Sequence, residues 1–279
     1  MSVPVSIVNR VARAAAFFDL DKTIIAKSSA LAFGKPFYQG GLINRRAVVR
    51  GAYAQFVFAL SGADEDQMDR MRDYLQAMCA GWDVAQIREI VGETLHEIID
   101  PIVYDEAVTL IGEHKAAGRD VVIVSSSGYE VVAPIGAMVG ADDVLATRMV
   151  EKDGKYTGEI ETYIYGPGKA EAMHTLAEQR GYDLAECYAY SDSITDSPML
   201  EAVGHPYAVN PDRALRRVAG EKGWPILVFS NAVPLRARLS GLRPANNTAT
   251  ATVAIGAVAA TGLVWYLSRR RGGRSQPRF

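Results

Sequence analysis

The sequence predicts an α/β protein: a parallel sheet with helices on both faces, interrupted by a helical insertion and followed by a transmembrane-like C-terminal helix. Three observations carry this expectation. Apolar runs of strand length recur at residues 14–18, 121–124, 187–190 and 226–229, with a shorter one at 207–209, and after Val121 they alternate with helix-like segments. Between the first two runs lie about a hundred residues of helical rather than strand periodicity. Residues 248–267 form a 20-residue stretch without a charge, ending in Trp265-Tyr266 ahead of Arg269-Arg270-Arg271, the flanks of a bilayer-spanning helix.

Taken in order, Ala14-Ala15-Ala16-Phe17-Phe18 is a continuous apolar strand, as a strand buried on both faces must be. The insertion, 26–100, opens with a helix at 44–60 that is unusually apolar after Val48. A second helix at 64–79 sets Met68, Met71, Leu75 and Met78 at helical spacing, a stripe that suits core packing. Asp83 is placed to cap a third helix burying Ile87, Ile90, Val91, Leu95 and Ile98, which Asp100-Pro101 stops. Beyond Val121, helices are expected at 130–139, 169–180, 198–203 and 213–222. Residues 149–160 break this rhythm: Lys152-Asp153-Gly154-Lys155 between β-prone flanks reads as a hairpin. The expected domains are a catalytic core from 1–25 and 101–230, a helical cap at 26–100, a basic linker at 231–247, the span at 248–267 and a basic tail at 268–279.

Two distant cysteines exclude a disulfide scaffold, and no Cys/His cluster has zinc-ligand spacing. Of the four histidines, His96 and His114 lie on expected helices and His174 and His205 have no partner at ligand spacing; none receives a catalytic role. The overall charge of −2 hides a split. Residues 231–279 carry eight arginines and no acid, which leaves the body at −10 and a poor match for nucleic acid. No secretion signal precedes the first strand, so the body is expected in the cytoplasm with its C-terminus anchored in the membrane.

Chemistry gathers where the strands end. The first strand runs into Asp19-Leu20-Asp21-Lys22-Thr23, two acids that would repel unless a cation or proton lay between them. The second empties into Ser125-Ser126-Ser127-Gly128, hydroxyls and backbone N–H groups able to cradle an anion. Gly166-Pro167-Gly168-Lys169 sets a lysine in the first turn of a helix, where the dipole disfavours a cation unless it answers an anion. Ser191-Asp192-Ser193-Ile194-Thr195-Asp196 adds a second pair of acids. Each feature alone has an ordinary explanation as a cap or turn. Their coincidence does not.

This pattern resembles the haloacid dehalogenase-like superfamily of phosphatases, within it the phosphoserine-phosphatase-like branch. Asp19-Leu20-Asp21-Lys22-Thr23 matches its D-x-D-x-T first motif, Ser125 its second, Lys169 its third and Asp192 with Asp196 its acidic fourth. The resemblance implies a Rossmann-like core with the insertion as cap, and a Mg²⁺-dependent hydrolysis of a phosphate monoester through an aspartyl-phosphate. It gives Asp19 as nucleophile, Asp21 as acid and base, and Lys169 as charge partner. Ser125, Ser126 and Lys169 would bind the phosphate. Asp19, Asp21 through its carbonyl, Asp192 and Asp196, as ligand or support, would form the metal site. Asp21-Lys22-Thr23 also matches the D-K-T of P-type ATPases, which would make Asp21 the nucleophile, but Ile24-Ile25 follows instead of Gly-Thr.

The chain departs from phosphoserine phosphatases in two places. Ser28 stands where they carry a glutamate, and Lys22 replaces a small residue. Arg45, Arg46 and Arg50 are candidates for reading a substrate carboxylate or an exposed helix face. The substrate expected is a small phosphate ester, phosphoserine-like or a lipid or head-group phosphate, with no nucleic-acid partner. The rival readings are a membrane-tethered phosphoryl transferase and a non-catalytic binding protein on the same fold.

Overall fold

The computed structural model of the chain describes residues 13–43, 72–73 and 76–232. In chain order its elements are β1 (Ala15–Phe18), α1 (Ser29–Ala32), α2 (Gly34–Gln39), α3 (Val84–Ile99), α4 (Asp105–Ala116), β2 (Asp120–Gly128), α5 (Tyr129–Val139), β3 (Asp143–Lys152), β4 (Lys155–Thr162), α6 (Pro167–Arg180), β5 (Tyr188–Ser191), α7 (Ser197–Glu201), β6 (His205–Val209), α8 (Arg213–Lys222) and β7 (Ile226–Leu227). They form a seven-stranded sheet in the order β4-β3-β2-β1-β5-β6-β7.

All four residues of β1 are buried, because the strand lies mid-sheet and both faces are covered. Successive side chains point to opposite faces, and the core divides accordingly. Ala16, Phe18, Val121 and Ile123 pack with Val91, Ile111 and Ile135 from α3, α4 and α5. Ala15, Phe17, Val122 and Val124 pack with Met173, Met199 and Leu215 from α6, α7 and α8. Phe17 and Phe18 are fully buried, each contributing about 2–3 kcal/mol of apolar transfer.

Local chemistry sets the helix ends. Asp83 accepts a 3.0 Å bond from the Gln86 N–H to cap α3, as its sequence suggested, and a 3₁₀ turn at Asp100–Ile102 containing Pro101 ends it. Ile87, Val91 and Leu95 are buried, whereas Ile90 and Ile98 pack only at the margin. Asp212 caps α8 in the same way, accepting from the Leu215 N–H at 2.7 Å. The chain enters and leaves the insertion side by side: the Ala26 N–H donates to the Ile102 carbonyl at 2.7 Å, and the Tyr104 N–H to Ile24 at 2.9 Å.

The expected hairpin forms, with Asp153 and Gly154 both at positive φ (52° and 77°) in a two-residue turn. It begins earlier than the sequence suggested. β3 starts at Asp143 rather than 149, and its first half pairs parallel with β2, Val144 opposite Ile123 and Leu145 opposite Val124. Only Val144-Leu145-Ala146 is apolar there, too short a run to stand out. β4 then pairs antiparallel with β3, so the sheet is not purely parallel. β2 likewise runs past Val124 through the serines to Gly128. At its turn the hairpin meets residues 81–84: the Gly81 N–H donates to the Tyr156 carbonyl at 2.8 Å, Tyr156 to Trp82 at 3.0 Å and Val84 to Gly154 at 3.0 Å.

The helix expected at 44–60 with Arg45, Arg46 and Arg50, most of that at 64–79, nearly all of the linker, the span at 248–267 and the tail lie outside the described residues. Among the described residues no helix is long and apolar enough to cross a membrane.

Candidate active site

β1 lies between β2 and β5 and runs parallel to both, so the three carboxyl ends meet at one edge. Asp19 is the first residue beyond β1, and its N–H extends the ladder by donating to the Tyr190 carbonyl at 2.9 Å. The chain then turns tightly. Lys22 is exposed with a positive φ of 61°, and the Thr23 N–H returns to the Leu20 carbonyl at 3.3 Å. This turn leaves Asp19 almost buried and Asp21 half-buried.

Lys169 reaches the same edge from the first turn of α6. Two glycines put it there. Gly166, at φ 52°, makes the turn into the helix, and a Cβ on Gly168 would stand 2.5 Å from the Tyr163 carbonyl oxygen. The Lys169 side chain is 3% exposed, with Nζ 2.6 Å from Asp19 Oδ1 and 2.7 Å from Asp196 Oδ2. Asp196 Oδ2 also accepts the Ser191 hydroxyl at 2.6 Å. Burial alone would lower the lysine's pKa, but the two carboxylates outweigh it and hold the ammonium charged well above its ordinary range.

The carboxylates outnumber the cations. Burial raises the Asp19 carboxyl well above the usual range; Lys169 opposes the shift, and Asp196, Asp192 and Asp21 add to it. Burial pushes Asp192 up to about 7, with Lys22, at 4.0 Å from its Oδ2, the main opposing charge. Asp21 is also raised by burial, against a 2.9 Å bond from the Ser29 N–H to its Oδ1. Four carboxylates facing Lys169 and a solvent-exposed Lys22 leave negative charge that a hard divalent cation would neutralise. Among the described residues no three His, Cys, Asp or Glu side chains form a protein-only cage. The oxygen donors at the strand ends are of the kind that suits Mg²⁺, which keeps several waters and needs few carboxylates. Asp19, Asp192 and the Asp21 carbonyl are the groups that could hold it. Asp196 shares its Oδ2 between Lys169 and Ser191.

Ser125 is buried, and its hydroxyl accepts the Ser127 N–H at 3.2 Å; Ser126 follows, half-buried, with no side-chain hydrogen bond to the carboxylates. The structure thus joins Asp19, Lys169 and Asp196 directly and sets Asp21, Asp192 and Ser125 around them. It also adds residues that the sequence had not marked. Ser191 orients Asp196. Lys22, noted only as a departure, is the nearest cation to Asp192. Ser29 bonds Asp21 through its N–H and Ser127 through its hydroxyl at 2.8 Å. Only the recurrence of serine at a strand end could have signalled Ser191, and nothing local signalled Ser29.

Known proteins resemble this chain in sequence and in fold. The family model described as haloacid dehalogenase-like hydrolase matches residues 16–201. A Mycobacterium tuberculosis protein named probable phosphatase is 61% identical over 259 residues, covering 93% of this chain and 90% of that protein. Another from the same organism, named a phosphoserine phosphatase, is 37% identical over 218 residues, covering 77% of this chain and 71% of the other. Among solved structures, a phospho-aspartyl intermediate analogue of phosphoserine phosphatase aligns with a TM-score of 0.56 at 20% identity, over 83% of this chain and all of that one.

Proposed function

This chain belongs to the haloacid dehalogenase-like hydrolase family, and from that premise we propose that it is a Mg²⁺-dependent phosphatase that hydrolyses a small phosphate monoester through an aspartyl-phosphate on Asp19. The observation that carries this reading is the buried Lys169 ammonium, clamped 2.6 Å from Asp19 and 2.7 Å from Asp196 at the sheet's carboxyl edge. A lysine held there offsets the repulsion between Asp19 and an incoming phosphate dianion. The same bond favours Asp19 over Asp21 as nucleophile.

In the first step an Asp19 carboxylate oxygen attacks phosphorus as the bond to the ester oxygen breaks, and Asp21 gives that oxygen its proton. In the second, Asp21 takes a proton from water, which attacks phosphorus and releases Asp19. Ser125, Ser126 and Lys169 hold the non-bridging oxygens, and Asp196 with Ser191 fixes Lys169. Bound Mg²⁺ would supply charge neutralisation for Asp19 and the phosphate.

The substrate class we infer is an alkyl phosphate, phosphoserine-like or carried on a lipid head group. The relative named as a phosphoserine phosphatase supports the first, while Ser28 in place of glutamate and the uncharged stretch at 248–267 favour the second. That stretch would tether a cytoplasmic body to the membrane. One experiment tests the whole reading. Phosphate release with Mg²⁺ is measured across amino-acid, sugar and lipid phosphates, for the full chain, its Asp19→Asn variant and a truncation after Leu242. Turnover abolished by Asp19→Asn and by chelation is expected, with the truncated chain soluble and slower only on vesicle-borne esters. Turnover of no ester by the full chain would refute the phosphatase. Asp19→Asn within about tenfold of wild type, ~1.4 kcal/mol of barrier, would refute the nucleophile.

A further inference from the structure

We propose that Ser29, the first residue of the inserted segment's first helix, is the positioning residue for Asp21. The inference rests on the reading of Asp21 as acid and base, and deepens it. Ser29 is fully buried, although it follows the exposed Lys27 and precedes the exposed Ala30. Both of its polar groups are spent on the site. Its N–H donates to Asp21 Oδ1 at 2.9 Å, and its hydroxyl lies 2.8 Å from Ser127 Oγ. Ser127 in turn donates its N–H to Ser125 Oγ at 3.2 Å. One chain of hydrogen bonds thus runs from Asp21 through Ser29 and Ser127 to the hydroxyl cluster that ends β2.

The geometry of the first helix makes this arrangement specific. Ser28, which precedes α1, makes no side-chain capping bond, so the carboxylate two residues beyond the nucleophile receives the helix's first N–H. Asp21 has two oxygens. The Ser29 N–H holds Oδ1, and the Ser29 and Ser28 hydroxyls also bond the carboxyl, so its proton is presented to the leaving oxygen from a fixed orientation. A carboxyl without that anchor would rotate about χ2, and general-acid catalysis depends on heavy-atom distances being held near 3 Å. Backbone bonds between Ile24–Ala26 and Ile102–Tyr104 tie the two ends of the insertion together at its base. Ser29 is therefore where the inserted segment acts on the acid without itself touching the phosphate.

The test removes the N–H together with the hydroxyl, and then the hydroxyl alone, so the N–H is read from the difference between the two variants. Ser28 has φ −69° and ψ 129°, a conformation that the residue before proline prefers, and Ser29 occupies the first helical position, where proline is tolerated. Ser29→Pro therefore deletes the donor to Asp21 with little backbone conflict. The readout is kcat/KM, which reports the first chemical step, on a simple alkyl phosphate against p-nitrophenyl phosphate, whose departing oxygen needs no proton. We expect Ser29→Pro to lose about a hundredfold on the alkyl ester and under about threefold on the aryl ester, within the usual range for general-acid catalysis. Ser29→Ala keeps the N–H but removes the hydroxyl's bonds to Ser127 and to Asp21, and is expected to lose roughly three- to tenfold on the alkyl ester alone.

Equal losses on both esters would mean that Ser29 supports the fold only, and unchanged rates would mean that Asp21 needs no anchor; either overturns the proposal. Should Ser29→Pro fail to fold, as judged by its thermal melt, Ser29→Ala decides by the same comparison. Asp21→Asn supplies the reference. If it shows the skew between esters and the Ser29 variants do not, Ser29 alone is misassigned. If it shows none, the acid role of Asp21 fails and the proposal falls with it.

Discussion

Asp192 is buried at the sheet edge with Lys22 4.0 Å away as its nearest cation, so its charge costs folding free energy that only a bound cation recovers. Asp192→Asn should therefore stabilise the metal-free protein by about 1 kcal/mol in urea denaturation while abolishing turnover. A variant that loses stability and activity together would place Asp192 among structural hydrogen-bonding groups instead. Lys169 sits at the other extreme, with both of its neighbours compensating it. Losing that lysine would leave two buried carboxylates facing each other. The same cluster shows why the site was largely legible in sequence. Asp19, Lys169, Asp192 and Asp196 each lie just beyond a strand end or at a helix start, where local pattern marks them. Ser29 does not: one of its partners is 98 positions away, and its own neighbourhood is an undistinguished run of serines and alanines.

At the scale of elements, α6 is placed by contact rather than by a cap. Its Gly168 lies against the Tyr163 carbonyl, backbone that cannot rotate aside. Gly168→Ala must push the start of α6 outward by a few tenths of an ångström or more, carrying Lys169 with it. We expect kcat/KM to fall at least about tenfold for an overpacking cost of roughly 1–3 kcal/mol in stability. Loss of stability without loss of rate would show that Lys169 reaches Asp19 independently of the helix start. Elements with a complete local signal are legible in the sequence: α8 spans the expected 213–222, and the hairpin turns at Asp153-Gly154. Those whose signal is tertiary are not. The first half of β3 is a strand because β2 is beside it, and α1 and α2, four and six residues long, carry too few turns for periodicity to show.

Across the whole molecule, one buried histidine links the fold to acid. The core beneath α4 contains His114, buried, with Nε2 2.8 Å from the Tyr190 hydroxyl and Nδ1 accepting from Arg119 Nε at 2.7 Å. Burial, aided by Arg119, lowers its pKa from 6.5 to about 4, so the folded protein keeps it neutral where the unfolded chain binds a proton. Its contribution is fully present above pH 6.5 and drains away as pH falls toward 4. Melting temperatures of wild type and His114→Gln should accordingly diverge in slope across that window, the variant falling less steeply; parallel slopes would assign the histidine no linkage. The borders of the sheet have a consequence of another kind. β4 would be an open edge, but residues 81–84 already occupy its N–H and carbonyl groups around Tyr156, and at the opposite border β7 is two residues long and follows Pro225. Among the described residues the start of β4 is already paired and β7 is too short to template a strand, which limits where a second copy could extend the sheet.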